Sequence, residues 1–329
     1  MNFKRQQGVA LITIMLVVVI ATVLGVSMST DQHFAVTRAR TFFDQGIVRQ
    51  YALGGEELAR QILHQDFIDA PDSDHLNENW SGADLRFDFE QGEIELLIED
   101  LQARLNLNAI VIEGAGRQLV KDRLTRLFAE QGLDAAYVDR ILDWVDQNNS
   151  VSALGAEDYD YLGLERPYRS ANGPMADLSE LRLILEMDAE RFAQISPYVT
   201  AIADPNTKIN INTASPQVLQ AIAPGLSLSA AESIVAGRDS DGPFQGVEDF
   251  TGDISLGEAV AKNVNPEGLS VQSSFFKVSV RARFQDRFGY LTSIIQRDPT
   301  DGTMRVIYRD QGKKVQPFIT EEQDETNNG

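Results

Sequence analysis

The apolar positions of this chain change their spacing several times, and each change marks an element. From Val9 to Met28, VALITIMLVVVIATVLGVSM, twenty residues pass without a charge. At about 1.5 Å per residue a helix of that length reaches roughly 30 Å, the thickness of the hydrocarbon layer of a bilayer. No proline or turn closes the run. It continues as DQHFAVTRARTFFDQGIVRQYALGGEELARQILHQDF, where Phe43, Ile47, Tyr51, Leu58 and Ile62 fall at helical spacing on one face. The expectation is one long helix from Val9 to about His64, half in lipid and half laid against a domain, with Gly54-Gly55 as its soft point. An anchor followed by a separate helix fits the same pattern.

From Asp84 the period becomes two. LRFDFEQGEIELLIEDLQARLNLN reads as an antiparallel hairpin turning at Gln91-Gly92, with a third strand near Ala103 to Asn108. Helical spacing then returns in GRQLVKDRLTRLFAEQG, DAAYVDRILDWVDQ, DLSELRLILEM and DAERFAQISPYV, separated by Gly132, Asn149 and Gly173-Pro174. Alternation resumes at Ser274 with FFKVSVRARFQ, RFGYLTSIIQRD and TMRVIYRD, the last two joined by DPTDG. Residues 312–329, ending TEEQDETNNG, have the composition of a disordered tail.

Composition narrows the function classes. With 329 residues, 43% of them hydrophobic, the chain can bury two or three cores. A net charge of -20 makes nucleic acid and anionic lipid poor partners for the body, since phosphate binding rests on Lys and Arg. There is no cysteine, which removes disulfides and thiolate metal sites. The histidines, His33, His64 and His75, stand beside no serine or carboxylate pair that reads as a triad, and no phosphate loop or dinucleotide fingerprint occurs. No enzyme is expected.

The basic leader MNFKRQQG places a small residue, Gly8, between Lys4-Arg5 and the apolar run. This resembles a type IV prepilin leader, which implies cleavage after Gly8 by prepilin peptidase and N-methylation of the new terminus, Val9. A secretory signal cut near Gly25-Val26-Ser27, or a plain anchor, is the other reading of these residues. The leader departs from the pilin pattern in having Val9 where pilins usually begin with Phe, and Thr13 where most carry Glu.

Two internal stretches hold candidate chemistry. Arg104-Leu105-Asn106-Leu107-Asn108 and Lys208-Ile209-Asn210-Ile211-Asn212 repeat one pattern. The second continues through Thr213, Leu219, Pro224-Gly225, Ile234, Arg238 and Gly242-Pro243-Phe244, and resembles a DNA-uptake helix-hairpin-helix module. Between Ile209 and Phe250, however, Arg238 is the only basic residue, against five acidic ones. A packing or partner surface is therefore expected rather than a phosphate site. The other stretch is ILDWVDQNNSVSALGAEDYDYLGLERPYRSAN. Counted from Asp146, Asn148, Ser150 and Glu157 fall at positions 3, 5 and 12 of a calcium loop, but Val151 stands at position 6, where such loops need glycine. Asp143, Asp158 and Asp160 add further oxygens. A solvated Asx-rich turn explains the same residues.

Leader, helix, hairpin, helical insertion and the run GAEDYDYLGLERPYRSANGPMADLSELRLI together resemble the type II secretion minor pseudopilin K family. The resemblance implies an α+β fold: a pilin-like N-terminal helix on an antiparallel sheet, with a large α-helical helix-hairpin-helix/SAM-like domain inserted in the sheet. The expected divisions are leader 1–8, membrane segment 9–28, pilin helix and first strands 29–108, insertion 109–268, closing strands 269–311 and tail 312–329. It also implies a single-pass inner-membrane protein with a cytoplasmic N-terminus and a periplasmic body. Such a protein caps a pseudopilus with minor pseudopilins I and J, above H or the major pseudopilin, on the inner-membrane assembly platform. Calcium is implied as a structural ion, with Asp143, Asp146, Asn148, Glu157 and Asp158 as the expected ligands. The alternative function is that of a pilus-like or DNA-uptake minor pilin. In a pilus the Glu at the position of Thr13 neutralises the terminus of the subunit ahead, so its absence fits a subunit with nothing ahead of it.

Overall fold

The computed structural model describes residues 7–82 and 85–311, with side chains from Ala10 onward. The leader up to Gln6 and the tail 312–329 lie outside the described residues. A single helix, α1 (Gln7–Asp69), runs through membrane segment and body alike, so the separate-helix alternative is set aside. Its 63 residues correspond to roughly 95 Å at 1.5 Å per residue.

The stripe of α1 that meets the body is not the expected one. Val48, Ala52, Ala59 and Leu63 are its buried apolar residues, with Gly55 on the same face and Glu56 buried beside them against Arg309. Ile47, Tyr51, Leu58 and Ile62 flank them, partly buried, and Phe43 is 65% exposed. Small residues let the helix axis approach the sheet, and the larger apolar side chains close the sides of the contact. A Cβ on Gly55 would come within 2.6 Å of Val280 Cγ1 and 2.9 Å of Ile94 Cγ2. Gly54, next in sequence, faces open space.

The loop after α1 leads into β1 (Leu85–Phe89) and β2 (Gly92–Asp100), an antiparallel hairpin turning at Glu90-Gln91. The expected third strand is a two-residue β3 (Leu105–Asn106), and it leaves the main sheet. Next come α2 (Ala115–Glu130), α3 (Ala136–Val145), α4 (Asp158–Leu162) and α5 (Ala189–Ile195), ending at β4 (Val199–Thr200), which pairs in parallel with β3. DLSELRLILEM, expected as a helix, forms a short 3-10 turn over Leu178–Leu183 capped by Asp177. A second unit opens with β5 (Ile209–Asn210), passes through α6 (Pro216–Ile222), α7 (Leu228–Asp241), α8 (Val247–Thr251) and α9 (Glu258–Ala261), and closes at β6 (Leu269–Ser270), parallel to β5. The sequence echo is thus an architectural one: each basic-apolar-Asn-apolar-Asn stretch starts a unit whose end returns to pair with its start.

Three long strands complete the body: β7 (Phe275–Phe284), β8 (Arg287–Arg297) and β9 (Met304–Gln311). The sheet order is β1-β2-β7-β8-β9, all antiparallel, so everything between Leu101 and Ser274 is threaded between two neighbouring strands. Alternation decides the faces. Ile94, Leu96 and Ile98 with Phe276, Val278, Val280 and Ala282 pack under α1. Pointing the other way are the directly opposed pairs Glu93/Arg283, Glu95/Arg281 and Glu99/Lys277, with ion-pair distances of 2.7, 2.6 and 2.7 Å. The segment between β2 and β7 has its own core, built on Ile110, Leu124, Phe128, Ile141, Trp144 and Tyr161 and continuing through Ile211, Leu219, Ile234 and Phe250.

Buried polar groups join this segment to the body. Asp100, at the end of β2, accepts from Gln102 N at 2.7 Å, Thr213 Oγ1 at 2.5 Å and Ser273 Oγ at 2.6 Å. Asn210 Nδ2 donates to the Asp74 carbonyl and to Ser273 Oγ at 3.0 and 2.8 Å. Burial outweighs those donors and pushes the Asp100 carboxyl up to about 6.

Candidate functional site

Two regions carry the function-bearing residues, and the first is the distal half of α1. From Leu11 to Met28 every large apolar side chain is at least half exposed, and the exposure continues through Phe34, Val36, Phe42 and Phe43. The most apolar window has a mean hydropathy of 2.7 and none of it is buried. Nothing among the described residues covers this half, although burying one such side chain gains about 1.5–3 kcal/mol; lipid or other helices would supply that burial. Three hydroxyls are satisfied within this helix: Thr22, Thr30 and Thr37 donate to the carbonyls of Val18, Val26 and His33 at 2.8–2.9 Å. Such back-bonding makes threonine tolerable where water is absent. Thr13 is exposed on the same helix. Gly8 and Val9 lie in its first turns.

The second region is the acidic loop after α3. Helix α3 brings Asp143 inside, where it is fully buried, while Asp146 caps the helix and Asn148 stands in solvent. Trp144 anchors the loop from beneath by packing edge-on against Tyr161 at 5.3 Å. The loop folds back over Asp143, whose two oxygens accept from Ser152 N at 3.2 and 3.0 Å. Gly155 crosses so closely that a Cβ there would overlap the Asp143 carboxylate. Asp146 is tied to Asn148, which donates from its backbone at 3.1 Å and its side chain at 2.8 Å. Glu157 is 3% exposed; its Oε2 accepts from Ser170 Oγ at 3.3 Å, and its Oε1 is buried with no hydrogen bond. Asp158 is already engaged, by Arg169 at 3.2 Å and by Ser170 N at 3.0 Å.

Electrostatics separates these five residues. Burial raises the Asp143 carboxyl above its usual range despite Ser152, with the charges of Asp146 and Asp139 adding to the rise. Burial and then the Asp143 charge raise Glu157. Asp143 and Glu157 therefore disfavour each other's ionisation across a loop that supplies no cation. The expected group is thus divided: Asp143, Asp146 and Glu157 share one field, Asn148 orders the turn, and Asp158 belongs to an ion pair. Gly155 and Ser170 were not singled out in the sequence; Gly155, the lone glycine of SALGAED, was the available signal.

The Ile209–Phe250 unit places its only basic side chain indoors. Arg238 is 5% exposed and its Nη1 donates to the carbonyls of Ile211 and Ala214 at 2.8 and 3.0 Å. It braces the unit and has no reach toward a phosphate.

A long helix bare along one half and sheet-packed along the other, with a five-stranded antiparallel sheet, defines a pilin-like subunit with a single apolar anchor. The family description "Type II secretion system (T2SS), protein K" matches residues 103–204 and 209–272, coinciding with the two units that β3/β4 and β5/β6 close. Type II secretion system protein K of Pseudomonas aeruginosa is 36% identical over 96% of both chains, and that of Klebsiella pneumoniae is 33% identical over 86% of this chain and 91% of its own. A solved structure, the GspK-GspI-GspJ complex of the enterotoxigenic Escherichia coli type 2 secretion system, includes a chain 25% identical, with a TM-score of 0.74. The match covers 84% of this chain and all of that one. The chain belongs to the type II secretion system protein K family, the minor pseudopilins of the secretion machinery.

Proposed function

We propose that this protein caps the tip of a type II secretion pseudopilus and starts its assembly with minor pseudopilins I and J, with H or the major pseudopilin below. The observation that carries the reading is the placement of residues 101–274 between neighbouring strands β2 and β7. A helical filament grows by stacking bodies around a bundle of α1 helices. A segment that large, added to one end of the sheet, leaves no equivalent place for a subunit above, while the uncovered face of α1 remains available to subunits below. Protein K in the related complex is found with I and J, which supports the same partners here.

The leader supports processing by prepilin peptidase after Gly8, N-methylation of Val9, and storage in the inner membrane with Lys4 and Arg5 on the cytoplasmic side. The body then faces the periplasm and meets the assembly platform through α1. Thr13 fits the first subunit inserted, since a carboxylate without a partner in the bilayer costs several kcal/mol. The role is structural, with no catalysis.

The donor chemistry of the acidic loop supports a calcium ion: Asp143 and Glu157 are buried hard oxygen donors and Glu157 Oε1 has no hydrogen bond, although no three of the loop's carboxylates converge within 4.8 Å, so binding would draw the loop inward. Asp143, Asp146 and Glu157 would hold it, with Asn148 and Asp158 shaping the loop around them. Bound there, calcium supplies the positive charge that the repelling carboxylates lack.

The test is to replace residues 103–272 by a short turn. Asp100 and Phe276 are register partners, so β2 and β7 can be joined as a hairpin with the body intact. Secretion is expected to stop, or pseudopili to lengthen. Normal secretion with pseudopili of normal length would sink the cap assignment.

A further inference from the structure

The acidic loop is not the only concentration of carboxylates in the protein. Asp66, in the last turn of α1, meets Asp74 and Glu78 from the loop that follows, and one oxygen from each lies within 4.8 Å of the others. Arg297, at the end of β8, is the cation in their midst. Its Nη1 reaches Asp66 Oδ2 at 3.2 Å, its Nη2 bonds Asp74 Oδ1, and its guanidinium lies 4.8 Å over the Phe276 ring.

One guanidinium does not balance three carboxylates. Were all three ionised, two negative units would remain; burial and then the charges of Glu78 and Asp74 push the Asp66 carboxyl up to about 7. Asp74 Oδ2 accepts from Ser273 N at 2.7 Å, and Glu78 Oε2 accepts from Trp80 Nε1 at 2.6 Å and His75 N at 3.0 Å. Glu78 Oε1, on a side chain only 8% exposed, is buried with no hydrogen bond. His75 Nε2 stands 3.4 Å from that oxygen, an ion-pair distance without a hydrogen bond, and burial lowers the His75 pKa and so disfavours the cation that would complete the pair. A buried, unpartnered carboxylate oxygen beside two further carboxylates marks a missing positive charge rather than a solvated acidic face.

We propose that Asp66, Asp74 and Glu78 form a second cation site that takes a hard divalent cation of the calcium type. The donors are all carboxylate oxygens, which favour calcium over a softer metal such as zinc. The site sits where it can act as a fastener. Asp74 N donates to the Val271 carbonyl at 2.8 Å and its own carbonyl receives Asn210 Nδ2, both in the inserted segment, while its carboxylate holds Arg297 of β8, so this residue of α1's exit loop touches segment and sheet together. A cation here locks the orientation of the cap-forming segment on the pilin body. This inference stands apart from the calcium assigned to the acidic loop.

The two tryptophans of the chain separate the sites, because Trp80 touches the new one and Trp144 lies under the acidic loop. In the full-length protein held in detergent, terbium is titrated and emission excited through tryptophan alone. The Trp144→Phe variant should keep saturable emission that calcium displaces, and adding Glu78→Gln should abolish it. Emission that is absent in Trp144→Phe, or that survives Glu78→Gln, overturns the site. Should Trp144→Phe fail to fold, equilibrium dialysis of calcium against the parent and Glu78→Gln decides: the variant binds one ion fewer, and equal stoichiometry overturns the proposal. A thermal midpoint that responds to acid but not to calcium in an Asp143→Asn background would mean that the cluster takes a proton instead, and likewise overturns it.

Discussion

Asn106, Asn108, Asn210 and Asn212 carry the joints of the inserted segment through both halves of their amides. Asn106 receives Ile202 N at 3.0 Å and donates to the Ile202 carbonyl at 3.1 Å, and Asn212 clasps Phe244 in the same way at 2.9 Å. No shorter or apolar side chain offers a donor and an acceptor in one plane, and each orphaned backbone group would cost about 1–3 kcal/mol. The repeat was visible in the sequence, but the reason for asparagine was not, because the backbone groups clasped across the fold lie from 32 to 136 residues away.

Asp100 gives the residue scale its pH prediction. Its folded value of about 6 lies above the ordinary 3.8, so its contribution is full below about 4 and is lost as pH rises through about 6. Asp100→Asn removes that loss. In urea unfolding, the variant should gain on the parent by up to about 3 kcal/mol between pH 4 and 7; an unchanged difference across that window would refute the buried, proton-binding assignment. Asp143→Asn tests the acidic loop in turn. Equilibrium dialysis should show one calcium fewer, and a chelator should lower the thermal midpoint of the variant less than that of the parent.

At the scale of elements, α1 holds two adjacent glycines with opposite roles. Gly54 faces open space, so Gly54→Ala should stabilise the body by about 0.5–1 kcal/mol through helix propensity alone. Gly55→Ala drives a methyl into Val280, Ile94 and Leu96, and overpacking of that kind costs typically about 1–3 kcal/mol. Thermal unfolding of the pair should move in opposite directions, and a matching shift in both would mean that the helix does not seat on Gly55. Sequence reasoning treated the two as one soft point. Periodicity also put the larger apolar residues at the contact, and it missed that close packing places Ala52, Gly55 and Ala59 there with Ile47, Tyr51 and Leu58 at the sides. Strands follow the alternation more closely: β2, β7 and β8 lie under α1, and Leu85, Phe87, Met304 and Val306 of the edge strands border the same core, so period two is enforced.

For the whole molecule, the prediction concerns order of assembly. Thr13→Glu should leave incorporation at the tip intact or mildly impaired, since the added carboxylate has no subunit ahead to meet. Co-purification with minor pseudopilins I and J, together with secretion of folded exoproteins, measures it. Complete loss of both would show that the position is read by something other than a preceding subunit.

The sequence by itself determined the long helix, its apolar half, the hairpin and closing strands, the absence of cysteine chemistry and the family, because each is written in local period, composition or a contiguous motif. Tertiary structure alone decided which stripe of α1 is buried, that Leu105-Asn106 pairs with Val199-Thr200 and not with the main sheet, and that Arg238 faces inward. It also decided that Asp143 and Glu157 share a field while Asp158 belongs to Arg169, and that Asp66, Asp74 and Glu78 converge on Arg297. All of these are contacts between residues far apart in the chain. Side-chain type fixes what each residue can do, but only the packed chain brings the partners together and removes the water that would otherwise screen them.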